Sequence, residues 1–256
     1  IILAGTGIRL ADAREELLEF IDALKIPVVT AWNAHDLLWE GHPYDCGRPG
    51  TVGTRGGNFV IQSADLVIIL ACRMNIRMIS YQWEHFAKDA VKVWVEIDKN
   101  ELCKPTIEPD IPVHADVKEF LVNINNLVKK ENFTCASMQA DWLSWCKDVQ
   151  KHYPAVKKEF YESDMLNPYV FIKELTQRLH EDTAVVCGNG SACVITFQAA
   201  EIKNGQRYFT NSGCAAMGYG FPAAIGVAVE GGMKNTVCID GDGSFQMNIQ
   251  ELQTVV

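Results

Sequence analysis

The sequence predicts an α/β protein of two parallel-sheet, three-layer units: a Rossmann-like one, then a truncated one, and three observations lead there. Strand-like apolar runs alternate with amphipathic helical patterns from residue 1 to about 128. The alternation restarts at Asn167-Pro168, and glycine-bearing turns follow several of the strands.

In residues 1–130 the apolar runs 1–4, 27–30, 66–71 and 91–97 read as strands, and 12–24 and the stretch after Asp116 read as helices with Asp12 and Asp116 as N-caps. A run as apolar as 66–70 suits the centre of a parallel sheet covered on both faces. Residues 131–164 are richer in charge and read as a connector. It carries a helix over 136–152 whose Met138, Trp142, Trp145 and Val149 share one face, a spacing that predicts packing against a neighbour. From 165 to 256 a second unit follows: a helix opened by Asn167 with Pro168 in its first turn, a strand at 184–187, a helix at 222–230, a strand at 236–240 and a terminal helix over 244–256.

Composition excludes several functions. With 23 Lys+Arg against 32 Asp+Glu the formal charge is −9, and no basic stripe offers a nucleic-acid or anionic-membrane surface. The longest wholly apolar stretch, 66–72, is far short of the roughly 20 residues that span a bilayer. Nine scattered cysteines form no C-x-x-C pair, which suggests reduced thiols in a cytoplasmic protein and no zinc site. The six histidines form no i, i+4 pair and read as structural. Because the chain opens inside a strand and ends without a helix stop signal, it is expected to be part of a longer enzyme.

The chemistry concentrates in residues 236–252, a strand, a glycine-flanked acid and a helix start. Gly241 and Gly243 let the backbone turn sharply and approach a bulky anion, and the helix start offers N–H groups to phosphate. Asp242 between them could hold a hard cation, since Mg2+ commonly takes one or two carboxylates plus waters and phosphate oxygens. Three letters alone would equally suit a turn whose Asp bonds its own backbone.

The longer string decides for the first reading. The run G-D-G-S-F-x-M-N-x-Q-E-L from Gly241 to Leu252 resembles the cofactor motif of thiamine diphosphate enzymes, in particular the acetolactate synthase large subunit, and residues 211–226 resemble the glycine-rich segment of that family. The resemblance implies that Asp242 is a Mg2+ ligand and that Gly241, Gly243 and Ser244 line the diphosphate. It also implies that Ala215 and Met217 meet the aminopyrimidine through their backbone, while the Met217 side chain props the bent cofactor. The turn Gly188-Asn189-Gly190-Ser191 would add N–H groups and a hydroxyl to the same diphosphate, although Ser191-Ala192 stands where the family typically has Gln-His.

For the first unit the resemblance implies FAD. The matching positions are Gly5 and Gly7, the loop of Gly47, Gly50 and Gly53, Arg73, Arg77, Glu96 and Asp116. A strand-end carboxylate can accept ribose hydroxyls and arginines can clamp phosphate. Met74-Asn75-Ile76 replaces the family's Phe-Asp-Asp, and Val52 stands where a histidine is usual. An alternative with Arg73, Arg77 and Glu96 in salt bridges of a nucleotide-free fold therefore stays open.

As a whole the resemblance implies decarboxylation and carboligation of 2-oxo acids, with pyruvate the default substrate, by a homodimer or higher homo-oligomer. In that family the activating glutamate and further metal ligands lie in other segments, so this chain alone is expected to turn nothing over. Competing readings are another thiamine diphosphate enzyme, such as an oxidase, decarboxylase or dione hydrolase, and a non-catalytic nucleotide-binding module.

Overall fold

The computed structural model describes the backbone of residues 1–256 and the side chains of all but Ser137 and Met138. In chain order the elements are β1 (Ile2–Ala4), the single turn α1 (Gly7–Leu10), α2 (Arg14–Leu24), β2 (Val28–Thr30), α3 (Arg55–Gln62), β3 (Leu66–Leu70), α4 (Ile76–Ile79), β4 (Val91–Glu96), α5 (Lys99–Leu102), β5 (Ile111–His114) and α6 (Val117–Glu131). They continue with α7 (Ala136–His152), α8 (Pro168–Arg178), β6 (Thr183–Cys187), α9 (Ser191–Ala199), β7 (Arg207–Thr210), α10 (Gly220–Glu230), β8 (Asn235–Ile239), α11 (Asp242–Gln246) and α12 (Leu252–Val255). Two compact units result, one of residues 1–37 with 41–154, the other of 38–40 with 155–256.

The first unit is a five-stranded parallel sheet in the order β2-β1-β3-β4-β5. Its centre holds the most apolar runs, with Ile2 aligned to Val28 on one side and to Ile68 on the other. Helix α2 buries Leu17, Phe20, Ile21 and Leu24 at helical spacing, and α6 packs on it, with Asn125 Nδ2 donating to Glu16 O at 2.9 Å. Asp116 caps α6 as expected: Oδ1 accepts from Lys118 N at 2.8 Å and Glu119 N at 3.2 Å. Asp12 does not cap α2. It takes the left-handed position after α1 (φ 50°), which turns its carboxylate away, and Ala13 becomes the cap residue.

Two first-unit elements, α3 and β5, were not anticipated from the sequence. Helix α3 contains Gly56 and Gly57, both poor helix formers. Gly57 is needed there, since a Cβ on it would come within 2.6 Å of the Arg48 backbone N, whereas one on Gly56 would press only on the Gln150 side-chain amide, 2.7 Å from Nε2. Strand β5 is a short, largely exposed edge carrying Pro112, which lacks the N–H that a central strand requires.

The helix expected in the connector forms over the anticipated residues as α7 and belongs to the first unit, where it packs on α3. Met138 lies outside the described side chains. Trp145 is 40% exposed and stacks on Trp142, ring centroids 4.9 Å apart, so the anticipated packing stripe is not the buried one. Instead Cys146 is buried, Lys147 Nζ donates to Asp45 O (2.6 Å) and His42 O (3.0 Å), and Gln150 Nε2 donates to Cys46 O (2.8 Å).

The second unit is a three-stranded parallel sheet, β7-β6-β8, with the fully buried β6 in the middle. Helix α8 begins as predicted, Asn167 accepting from Tyr169 N at 2.9 Å with Pro168 in the first turn. The continuous terminal helix expected over 244–256 is instead broken into α11, a 3-10 turn at Ile249–Glu251 and α12. The break falls at Asn248, whose backbone leaves helical geometry (φ −132°, ψ 34°) while its Nδ2 donates to Gly218 O at 2.6 Å. Among the described residues no helix is long and apolar enough to cross a membrane.

Gly5 is the tightest point of the first unit, because a Cβ there would come within 2.6 Å of the Ala71 carbonyl carbon and of Cys72 Cα. Gly5→Ala is expected to lower stability by about 3 kcal/mol, since backbone cannot yield as a side chain does. Thermal or denaturant unfolding measures it.

Candidate functional site

In a parallel sheet all strands end at one edge, and the turns that leave this edge are where ligands bind. In the second unit the turns after β6 and β8 leave side by side. Each leads straight into a helix start at a glycine, Gly190 before α9 and Gly241 before α11, and no side chain caps either start. The first-turn N–H groups of a helix need an outside partner. Around both glycines there is open space: an added Cβ would meet nothing within 4 Å. Gly190 sits at φ +60°, which demands glycine, whereas Gly241 is in ordinary extended backbone.

Asp242 is the first residue of α11 and is exposed, so its carboxylate projects from the rim of this space. Among the described residues no three His, Cys, Asp or Glu side chains cluster as a metal cage. One carboxylate beside open space suits Mg2+, which fills its shell with water and phosphate oxygens, and not a metal that needs a full protein cage.

The glycine-rich segment 211–220 folds over the same turn. Ala215 adopts φ +53° and its N–H donates to Asn211 O at 2.7 Å. Met217 is 49% exposed and lies against Gly243, whose added Cβ would meet Met217 Cε at 3.2 Å. Ser244 is buried and its Oγ accepts from Gly218 N at 2.9 Å. Its hydroxyl oxygen thus serves first as a strut between the two loops. Asn248 is the second strut, through Gly218 O.

Gly188 has a different part. Its N–H donates to Ile239 O at 2.8 Å, and a Cβ on it would come within 2.6 Å of Asp240 Cγ. A Cβ on Gly220 would come within 2.5 Å of Asp240 Oδ2. The Asp240 carboxylate therefore fills the room that both glycines leave. Its Oδ1 accepts from Gly241 N at 3.0 Å, while Oδ2 is buried without a hydrogen-bond partner among the described residues. Such an oxygen carries a desolvation cost of about 1–3 kcal/mol. Burial pushes the neighbouring Cys187 thiol up to about 12, which removes it as a nucleophile at neutral pH.

Sequence reasoning missed Asp240 and Asn248. Asp240, an acid at the end of an apolar strand, carried a readable signal, whereas Asn248, whose partner lies thirty residues away, carried none.

In the first unit the positions matched to FAD also gather at the carboxyl edge. Gly5 and Gly7 follow β1, Arg73 and Arg77 follow β3, Glu96 ends β4 and Asp116 follows β5. β1 and β3 flank the point where the strand order reverses, the usual ligand crevice of such sheets. However, Gly5 N donates to Leu70 O (2.9 Å) and Gly7 N to Ala71 O (3.1 Å), so these two amides hold the loops together. Glu96 Oε1 accepts from Ile97 N (2.9 Å) and Asp98 N (3.3 Å), and Asp116 is engaged as the cap of α6. Arg73 and Arg77 are exposed, and among the described residues neither guanidinium has an ion-pair partner. A groove of about 810 Å³, lined by Lys99, Cys103, Lys104, Pro109, Pro112 and His114, opens beside α5 and β5.

Two parallel α/β units, one with glycine-started helices and a rim carboxylate, are of the doubly wound kind, and the open helix starts are chemically suited to an anion such as phosphate. Comparison with known proteins narrows this. Residues 1–124 match the family described as thiamine pyrophosphate enzyme, central domain, and residues 188–256 match thiamine pyrophosphate enzyme, C-terminal TPP binding domain. The chain belongs to the thiamine pyrophosphate enzymes. It is 30% identical over 254 residues to the acetolactate synthase isozyme 1 large subunit of Escherichia coli, an alignment covering 99% of this chain and 43% of that protein. Similar relatives are the acetolactate synthase large subunit of Corynebacterium glutamicum (30%, covering 99% and 40%) and the probable acetolactate synthase large subunit of Methanococcus aeolicus (29%, covering 100% and 44%). The chain thus spans less than half the length of these relatives.

Because the Ser244 strut is buried, Ser244→Ala leaves Gly218 N–H without its acceptor. A loss of about 1–3 kcal/mol in unfolding free energy is expected, together with greater mobility of the Met217 loop in hydrogen exchange.

Proposed function

We propose that the chain carries the thiamine diphosphate and Mg2+ site of an acetolactate synthase-like enzyme, acting on 2-oxo acids, pyruvate first among them, by decarboxylation and carboligation. The observation that carries this reading is the pair of glycine-started helices at adjacent strand ends, with Asp242 on the rim and Met217 against Gly243.

Each residue has a part in binding. Asp242 would hold Mg2+ through its carboxylate, a charge suited to neutralising a diphosphate beside it. Gly190 and Ser191 on one side and Gly241, Gly243 and Ser244 on the other line the diphosphate with backbone N–H groups and hydroxyls, while Gly188, whose N–H is given to Ile239 O, shapes the turn behind them. Met217 presents an apolar, adaptable side chain as the prop beneath the cofactor, and the backbone of Ala215 and Met217 meets its aminopyrimidine. When bound, thiamine diphosphate supplies a carbon acid that adds to the 2-oxo acid carbonyl and a cationic ring that takes up the electron pair left by CO2.

The departure at Ser191-Ala192 supports keeping other thiamine diphosphate enzymes of this architecture, an oxidase, a decarboxylase or a dione hydrolase, as the second reading. The exposed apolar side chains Val229, Met247, Ile249 and Leu252 of the second unit support a homodimer or larger homo-oligomer. A cytoplasmic location accords with the scattered thiols. For the first unit we extend the proposal to FAD, supported by the two exposed guanidinium groups that follow β3 and have no ion-pair partner among the described residues.

Asp242→Ala in the full-length protein is expected to abolish Mg2+-dependent binding of thiamine diphosphate in an equilibrium titration, and EDTA is expected to do the same to the wild type. Gly241→Ala has room to fold, so its apo stability should stay within about 0.5 kcal/mol of wild type, yet the methyl group fills the cradle and cofactor affinity should fall. Unchanged binding in both variants would remove the assignment. A flavin absorption band in the purified full-length protein, lost together with Arg73→Ala and Arg77→Ala, is the expected result for the first unit; a colourless protein that takes up no FAD overturns that part.

A further inference from the structure

Asp240 stands one residue before the string that carries the family resemblance and has no part in the binding roles above. We infer that Asp240 is a positioning residue for the cation and diphosphate turn: its carboxylate is a wedge between Gly188 and Gly220 that fixes where Gly241 and Asp242 are presented. The inference rests on the cofactor reading just proposed.

Three contacts support it. Oδ1 accepts from Gly241 N at 3.0 Å, which orients the peptide entering Gly241, one residue before Asp242. The space that a Cβ would need on Gly188 or on Gly220 is taken by this one carboxylate, with Cγ 2.6 Å from the first position and Oδ2 2.5 Å from the second. The backbone directly before Asp240 is tied to the opposite turn, Gly188 N donating to Ile239 O. One side chain thus touches the turn after β6, the start of α10 and the turn after β8, and the first and last of these line the proposed cradle. Shape and an acceptor are both required. An apolar residue could fill the gap but would leave the Gly241 N–H unmatched, and a smaller polar one would leave the gap open.

The test measures thiamine diphosphate Kd and Mg2+ half-saturation by fluorescence titration of the full-length protein, with the melting temperature of the apo form as the folding control. Asp240→Ala is expected to weaken cofactor binding about 10-fold, the size of effect seen when a supporting partner of a metal site is lost. Asp240→Asn keeps shape and acceptor and is expected to restore affinity to within about 3-fold of wild type. Gly188→Ala should weaken binding as well, and adding Asp240→Ala to it should recover part of the loss, because the methyl group then occupies the vacated space. Wild-type affinity in Asp240→Ala, or strictly additive losses in the double variant, overturns the inference. Should Asp240→Ala fail to fold, Mg2+ half-saturation of Asp240→Asn against Asp242→Asn decides: equal loss in the two makes Asp240 a ligand and overturns the positioning role. Failure of the wild type to bind the cofactor, or unaltered binding in Asp242→Ala, sinks the underlying reading, whereas binding lost in Asp242→Ala and untouched in Asp240→Ala sinks this inference alone.

Discussion

The second unit depends on how closely three backbone turns approach one another at the carboxyl edge of its sheet. Gly188 and Gly220 have no side chain where the Asp240 carboxylate lies, and Gly218 is held by Ser244 and Asn248 from the other side. Backbone packed at this distance leaves no slack, so the open volume beside Gly190 and Gly241 has fixed walls. A fixed recess between N–H groups suits an anion better than a flexible one, because little ordering entropy remains to be lost on binding.

The same constraint operates in the first unit with a different result. Gly5 and Gly7 bring the turn after β1 against Ala71 and Cys72, and their N–H groups are used up in doing so. Glycines at equivalent places after a strand therefore serve two purposes. At Gly190 and Gly241 they leave open space beside the backbone, and at Gly5 they join two loops of the protein itself.

Most of the architecture was legible because β1 and β3 are continuous apolar runs, β4 and β6 are predominantly apolar, and α6 and α8 carry side-chain caps at their first turns. What stayed hidden had weak local signals. Strand β5 is exposed and holds a proline, β7 is short and polar, and α3 opens on two glycines whose reason is tertiary. Helix α9 was concealed by the glycine turn before it. The terminal helix was overestimated because the bond from Asn248 to Gly218 comes from thirty residues away and has no trace in the periodicity. The motif string put Asp242 and its glycines at the turn after β8, where the structure has them, but a string of letters does not say which glycine borders open space and which faces a neighbouring side chain.

The outermost strand of the first unit also bears on how the protein behaves in a crowded solution. An uncovered sheet margin is a template on which a foreign chain can stack in register, the first step towards a fibril. Pro112 occupies one of the four residues of β5, and its ring removes a donor from a ladder too short to spare one. Growth of the sheet by recruitment of another polypeptide is thereby discouraged on that flank.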